Sequence, residues 1–174
     1  MKTSLMILAF IVSSCKGNFR GEAVLMLTDN DAKCWYIDFE RNNTHTKRLT
    51  LWYFSVKGDY FDYYYDNKTK KMDIKDYRDN IPINKFILTS KDTIVFYGKK
   101  FPIVKLSNDE LILEDLYGSY PSFGDGNIYL KSCSSNNELF NLNYKQLLEK
   151  MEGLIAEYYT KYPDLKELPV HLPQ

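Results

Sequence analysis

The sequence predicts a mainly β protein. It reads as an antiparallel meander of about eight short strands closing into a barrel, with one amphipathic helix packed outside at the C-terminus. Three observations lead there. Short apolar runs recur between Cys34 and Cys133, separated by hairpin-length polar turns. The chain holds 15 Tyr and 10 Phe, residues that favour the pleated, half-buried surface of a strand. A stretch with helical period appears only after Asn143.

Taken in order, Cys34–Glu40 alternates, with Trp35, Ile37 and Phe39 on one face and Tyr36, Asp38 and Glu40 on the other. Leu51–Val56 and Asp59–Asp66 flank Lys57-Gly58, which reads as a two-residue hairpin loop whose Gly supplies positive φ. That loop pairs Phe54 with Phe61 and Trp52 with Tyr63. One face would then carry Trp52, Phe54, Phe61, Tyr63 and Tyr65, and the other Leu51, Tyr53, Tyr60, Asp62 and Tyr64. Further strands are expected at Met72–Ile74, Asn84–Leu88, Thr93–Tyr97, Phe101–Leu106, Leu111–Leu116 and Asn127–Cys133. Leu147, Leu148, Met151, Leu154, Ile155, Tyr158 and Tyr162 follow the 3.6-residue period of an amphipathic helix. Asn143 and Gln146 form a capping-box start, and Pro163 ends the helix. Residues 163–174 read as a Pro-containing tail.

Lys+Arg and Asp+Glu both number 23, so the chain lacks the basic excess with which proteins neutralise nucleic-acid phosphates. An apolar fraction of 44% argues against disorder.

The N-terminus carries an address. Lys2 precedes the apolar run Leu5–Val12, far shorter than the roughly 20 residues of a membrane-spanning helix, so it reads as a secretory signal. Val12-Ser13-Ser14-Cys15 resembles the lipobox of bacterial lipoproteins. The resemblance implies that residues 1–14 are removed and that Cys15 is lipidated, which gives a stable membrane anchor. Lys16, rather than Asp, follows the Cys, which points to the outer membrane facing the periplasm. Residues 15–31 then read as a lipidated tether, with Val24–Leu27 a short strand or turn, and the domain as 32–162.

Trp52-Tyr53-Phe54-Ser55-Val56-Lys57-Gly58-Asp59-Tyr60 resembles the aromatic-and-glycine hairpin of bacterial lipocalin-like domains. Asp92–Tyr97 and Ile103–Leu113 resemble that family's later strands, so the likeness covers residues 32–131. The usual Gly of the first strand is absent from Ala32-Lys33-Cys34-Trp35. The resemblance implies a lipocalin-like barrel and carries over no binding residue.

Outside the cytoplasm, two remaining cysteines suggest a disulfide. Cys34 opens the first clear strand and Cys133 ends the last, strands that are neighbours in a closed meander. Both lie opposite the apolar faces of their strands, so a Cys34–Cys133 bridge is expected. Two buried free thiols are the alternative.

Little else suggests chemistry. His45 and His171 sit in a polar loop and the tail, without ligands at metal spacing, so neither a metal nor a cofactor is expected. Asp29-Asn30-Asp31 with Glu40 fails as a calcium loop, because Cys34 occupies the position of its Gly. No catalytic residues stand out: Glu114 and Asp115 are adjacent and point to opposite faces of a strand. Asp92-Thr93-Ile94 matches a short glycosylation pattern but reads first as a strand start. Tyr63-Tyr64-Tyr65 could stack on bases or sugars, yet suits a strand buried on both faces.

Two functional readings remain, both non-enzymatic. In the first, the barrel binds a small apolar or amphipathic ligand lined by Trp35, Trp52, Phe54 and Tyr63. In the second, a solidly packed barrel engages another envelope protein through exposed loops such as Leu116–Asp125, with Tyr117, Tyr120 and Phe123. An open or a filled interior separates them.

Overall fold

The computed structural model describes residues 19–41, 48–75, 85–89, 92–118, 125–135, 137–140 and 142–163. The signal segment, Cys15, His45, Tyr120, Phe123, His171 and the tail beyond Pro163 lie outside the described residues.

Nine strands build the sheet: β1 (Ala32–Ile37), β2 (Arg48–Ser55), β3 (Tyr60–Asp66), β4 (Met72–Ile74), β5 (Phe86–Thr89), β6 (Thr93–Phe96), β7 (Lys99–Leu106), β8 (Glu110–Glu114) and β9 (Asn127–Ser132). Their order is β4-β3-β2-β1-β9-β8-β7-β6-β5, all antiparallel. Two meanders, β1–β4 and β5–β9, thus meet at the β1–β9 pairing. The expected closed barrel is instead a curled sheet, a half-barrel with β4 and β5 as its edges. β4 has only three residues, and all three pair with β3. Curling still brings β5 to the β2–β3 turn. There the Phe86 N–H donates to the Gly58 carbonyl at 2.9 Å, and Lys85 pairs with Asp59. Closure is a point contact among the described residues, with no ladder between the edges.

The β2–β3 register also differs from expectation. Phe54 lies opposite Tyr60 and Trp52 opposite Asp62. The loop has three residues, Val56-Lys57-Gly58, closed by the Ser55 N–H donating to the Asp59 carbonyl at 3.0 Å. Gly58, at φ +82°, takes the left-handed position that ends a three-residue hairpin loop. A shift of one position turns β3 over against β2. Trp52, Phe54 and Tyr60 share the concave side, while Leu51, Tyr53, Phe61, Tyr63 and Tyr65 share the convex side.

Where a tether was expected, residues Phe19–Thr28 form a helix, α1. Ala23 and Leu27, four apart and therefore on one helical face, are buried in the concave core. A four-residue apolar run is too short to show a helical period, and the burial exists only once the sheet curls around it. The end of α1 is built from the strand that follows. Asp29, at φ +51°, donates its N–H to the Leu25 carbonyl at 2.7 Å. The Lys33 ammonium donates to the Met26 carbonyl at 3.2 Å and the Trp35 indole N–H to the Leu27 carbonyl at 3.1 Å. Three carbonyls that a helix end leaves without intrahelical partners are thereby satisfied.

The second helix, α2 (Tyr144–Lys161), meets expectation. Asn143 Oδ1 accepts from the Gln146 N–H at 2.9 Å, and Gln146 Oε1 accepts from the Asn143 N–H at 3.1 Å. Leu147 and Met151 are buried on the convex face of β1–β4, with Leu148, Leu154, Ile155 and Tyr158 half-buried around them. Cys34 and Cys133, directly opposite in the continued β1–β9 register, lie at disulfide distance with Cα atoms 5.4 Å apart.

Closing a loop with a sequence separation of 99 constrains the unfolded chain strongly. Replacing both cysteines by Ser is expected to lower the unfolding free energy by about 2–5 kcal/mol in urea titration. The intact mass of the native chain should rise by two hydrogens on reduction; an unchanged mass would show free thiols.

Candidate functional site

The paired strands β1 and β2 bring together most of the residues expected to line a cavity. Trp35 from β1 and Trp52 and Phe54 from β2 all lie in the concave cluster. Tyr63 does not. It faces the convex side, where its hydroxyl donates to the Met151 carbonyl of α2 at 2.9 Å. The changed register moved it there.

Rings that the sequence pattern did not assign to this side complete the interior. The Tyr60 ring stacks on Phe96 at 4.4 Å, and Phe96 stacks on Phe101 at 4.5 Å. The Trp52 ring meets Phe96 edge-on at 5.2 Å, and Phe54 meets Phe86 edge-on at 5.1 Å. These separations and tilts are the favoured ones for aromatic pairs. Trp35, Trp52, Phe54 and Tyr60 are fully buried. The interior of the half-barrel here is a packed core into which α1 adds Leu27. One signal could have found Tyr60: a three-residue reading of the Val56-Lys57-Gly58 loop. Nothing local marks Phe86, Phe96 or Phe101 as neighbours of Trp52 and Phe54, since the curl alone joins them.

Two charges interrupt this apolar interior. Asp62, on the face of Trp52 and Tyr60, is buried, and its carboxylate accepts from the Tyr60 hydroxyl. The Lys75 ammonium lies 3.9 Å from the second carboxylate oxygen. A buried carboxylate needs such compensation. Lys33, also buried, donates to the Asn108 carbonyl at 2.7 Å and lies 4.5 Å from the Trp35 ring centre. Burial pushes its pKa down, opposed by Asp29 and Asp109. Both groups hold elements together: Asp62 joins β3 to the end of β4, and Lys33 joins α1 to the β7–β8 turn.

The convex side is organised by tyrosine hydroxyls. Besides Tyr63, Tyr65 donates to the Phe140 carbonyl at 3.0 Å and Tyr53 donates to Glu152 at 3.3 Å. The Tyr144 hydroxyl accepts the Cys34 N–H at 3.2 Å. Burial pushes the hydroxyl pKa of Tyr63 and Tyr53 well up, with the Glu152 charge adding at Tyr53, and raises that of Tyr144 to about 12. Tyr53 and Tyr63 thus fasten the sheet to α2, and Tyr65 fastens it to the turn before α2.

Exposed apolar groups mark the other end of the sheet. Leu116 and Tyr117, just after β8, are 55% and 50% exposed. They open the loop expected to contact a partner. The Tyr117 N–H donates to Asp115 Oδ1 at 3.1 Å, and its ring lies 6.1 Å from that of Phe101. The side chain is therefore presented from a fixed base.

A hydroxyl whose pKa is raised by folding stabilises the fold fully below the unfolded value near 10, and that contribution disappears as pH rises through the folded value. Unfolding free energy is therefore expected to fall between about pH 10 and pH 12. Tyr144→Phe should remove part of that slope in urea titrations at stepped pH, and an unchanged profile would contradict the assignment. Tyr63→Phe is expected to cost about 1–2 kcal/mol through the lost bond to Met151.

No family model, curated protein or solved structure matches the chain.

Proposed function

We propose that this chain is a lipid-anchored bacterial envelope protein that acts without catalysis, by contact with another envelope protein. The observation that carries the choice is the filled interior. A ligand carrier needs a cavity beside its lining residues, and Trp35, Trp52 and Phe54 are instead buried in one cluster with Tyr60, Phe86 and Phe96. Tyr63, the fourth expected ligand contact, lies under α2. The lipocalin likeness then concerns the sheet rather than a binding cup.

The anchor belongs to the same proposal. The lipobox-like Val12–Cys15 supports lipidation of Cys15, and Lys16 supports the outer membrane, with the domain in the periplasm. The contact surface is the loop that begins with Leu116 and Tyr117, whose apolar side chains are half-exposed, the Tyr117 ring resting on β7 beside Phe101 with its hydroxyl accepting from the Lys100 N–H. Partner contacts typically centre on such aromatic and aliphatic anchors.

The test uses the full chain in its native envelope. A photo-crosslinking residue at Tyr117 is expected to give a protein adduct, and one at Glu149, on the exposed side of α2, to give none. Cys15→Ser should release the chain from the membrane fraction. A small molecule freed on denaturation of the purified protein would overturn the reading in favour of a carrier.

A further inference from the structure

The Cys34–Cys133 pair lies beneath α2, and this placement has a chemical consequence. Neither cysteine exposes any surface. Both belong to the convex cluster with Phe140, Leu147 and Met151. The first residue of α2, Tyr144, accepts the backbone N–H of Cys34 through its hydroxyl. Cys133 opens a 3-10 turn, Cys133–Ser135, and Asn137–Phe140 forms a second just before α2. Phe140 in turn accepts the Tyr65 hydroxyl. Phe140 and the first turns of α2 thus share the buried cluster of the pair.

We propose that the first turns of α2 form a lid that gates thiol–disulfide exchange at Cys34–Cys133. Exchange needs an external thiolate to reach one sulfur. With a dithiol reductant, the attacking thiolate forms a mixed disulfide with one cysteine and expels the other as a thiolate, which takes a proton. The second thiol of the reductant then gives up its proton, attacks the mixed bond and releases the remaining cysteine as a thiolate, which is protonated. Two electrons pass to the bridge, and the reductant leaves as a cyclic disulfide. A closed lid admits no thiolate, so the reaction follows the fraction of molecules with the lid raised.

The test measures bridge reduction in the full native chain by dithiothreitol, read by alkylation and intact mass. Tyr144→Phe leaves the Cys34 N–H without its acceptor, and Met151→Ala removes a buried lid contact. Each is expected to speed reduction about 5–30-fold, the effect of weakening the closed state by a typical single contact. Val104→Ala, at an exposed position on β7, should leave the rate unchanged. Urea unfolding of each variant is measured in parallel. Lid gating requires reduction faster than global unfolding permits, with protection lost in α2 amides before those of β1 and β9. Unchanged rates in both lid variants, rates that follow global stability alone, or free thiols in the native chain would each overturn the proposal.

Discussion

The pairing of β1 with β9 is the constraint on which the rest of the fold depends. It is the junction between two local meanders, and it spans only Trp35–Ser132, Tyr36–Lys131 and Ile37–Leu130. Its ends are reinforced. The Asp38 N–H donates to the Tyr129 carbonyl at 2.8 Å, Lys131 pairs with Asp38 at 2.8 Å, and the cysteine pair continues the register at the other end. Such a junction joins distant parts of the chain and is entropically costly to form. Once it is made, Trp35 is fixed inward against α1 while Cys34 and Tyr36 are fixed outward beneath α2 and its approach. Both cores take their position from one short ladder.

The division of aromatic residues follows from what each face meets. The concave face meets other strands and α1: Phe54, Phe86, Phe96 and Phe101 are buried there together, while the Trp35 N–H and the Tyr60 hydroxyl find the Leu27 carbonyl and Asp62. The convex face meets a helix and the turns before it, which present carbonyls and a carboxylate. Tyr53, Tyr63 and Tyr65 supply donors at that boundary. Where a polar partner lies at the end of a buried ring, Tyr places a hydroxyl that Phe cannot.

Local signals carried much of the architecture. Alternation identified the strands, and the Asn143–Gln146 box with the 3.6 period identified α2. Parity in the two outer strands anticipated the proximity of Cys34 and Cys133. Of the four expected lining residues, Trp35, Trp52 and Phe54 do share a face, because alternation within one strand and its neighbour is a local property. Tyr63 was misplaced because the face of β3 hangs on the loop length, and Val56-Lys57-Gly58 serves either a two- or a three-residue turn until the flanking side chains choose. Burying Tyr60 with Phe96 and Phe61 with Tyr158 and Tyr159 favours the longer loop.

The sequence by itself determined the strand-rich class and the position and caps of α2, since each rests on residues within a few positions of one another. Tertiary structure alone decided that, among the described residues, no ladder joins β4 to β5, that residues 19–28 form a helix inside the curl, and that the concave aromatic side chains are buried in one cluster. These outcomes depend on which distant surfaces meet, and burial against a partner element overrides the weak preferences of short segments.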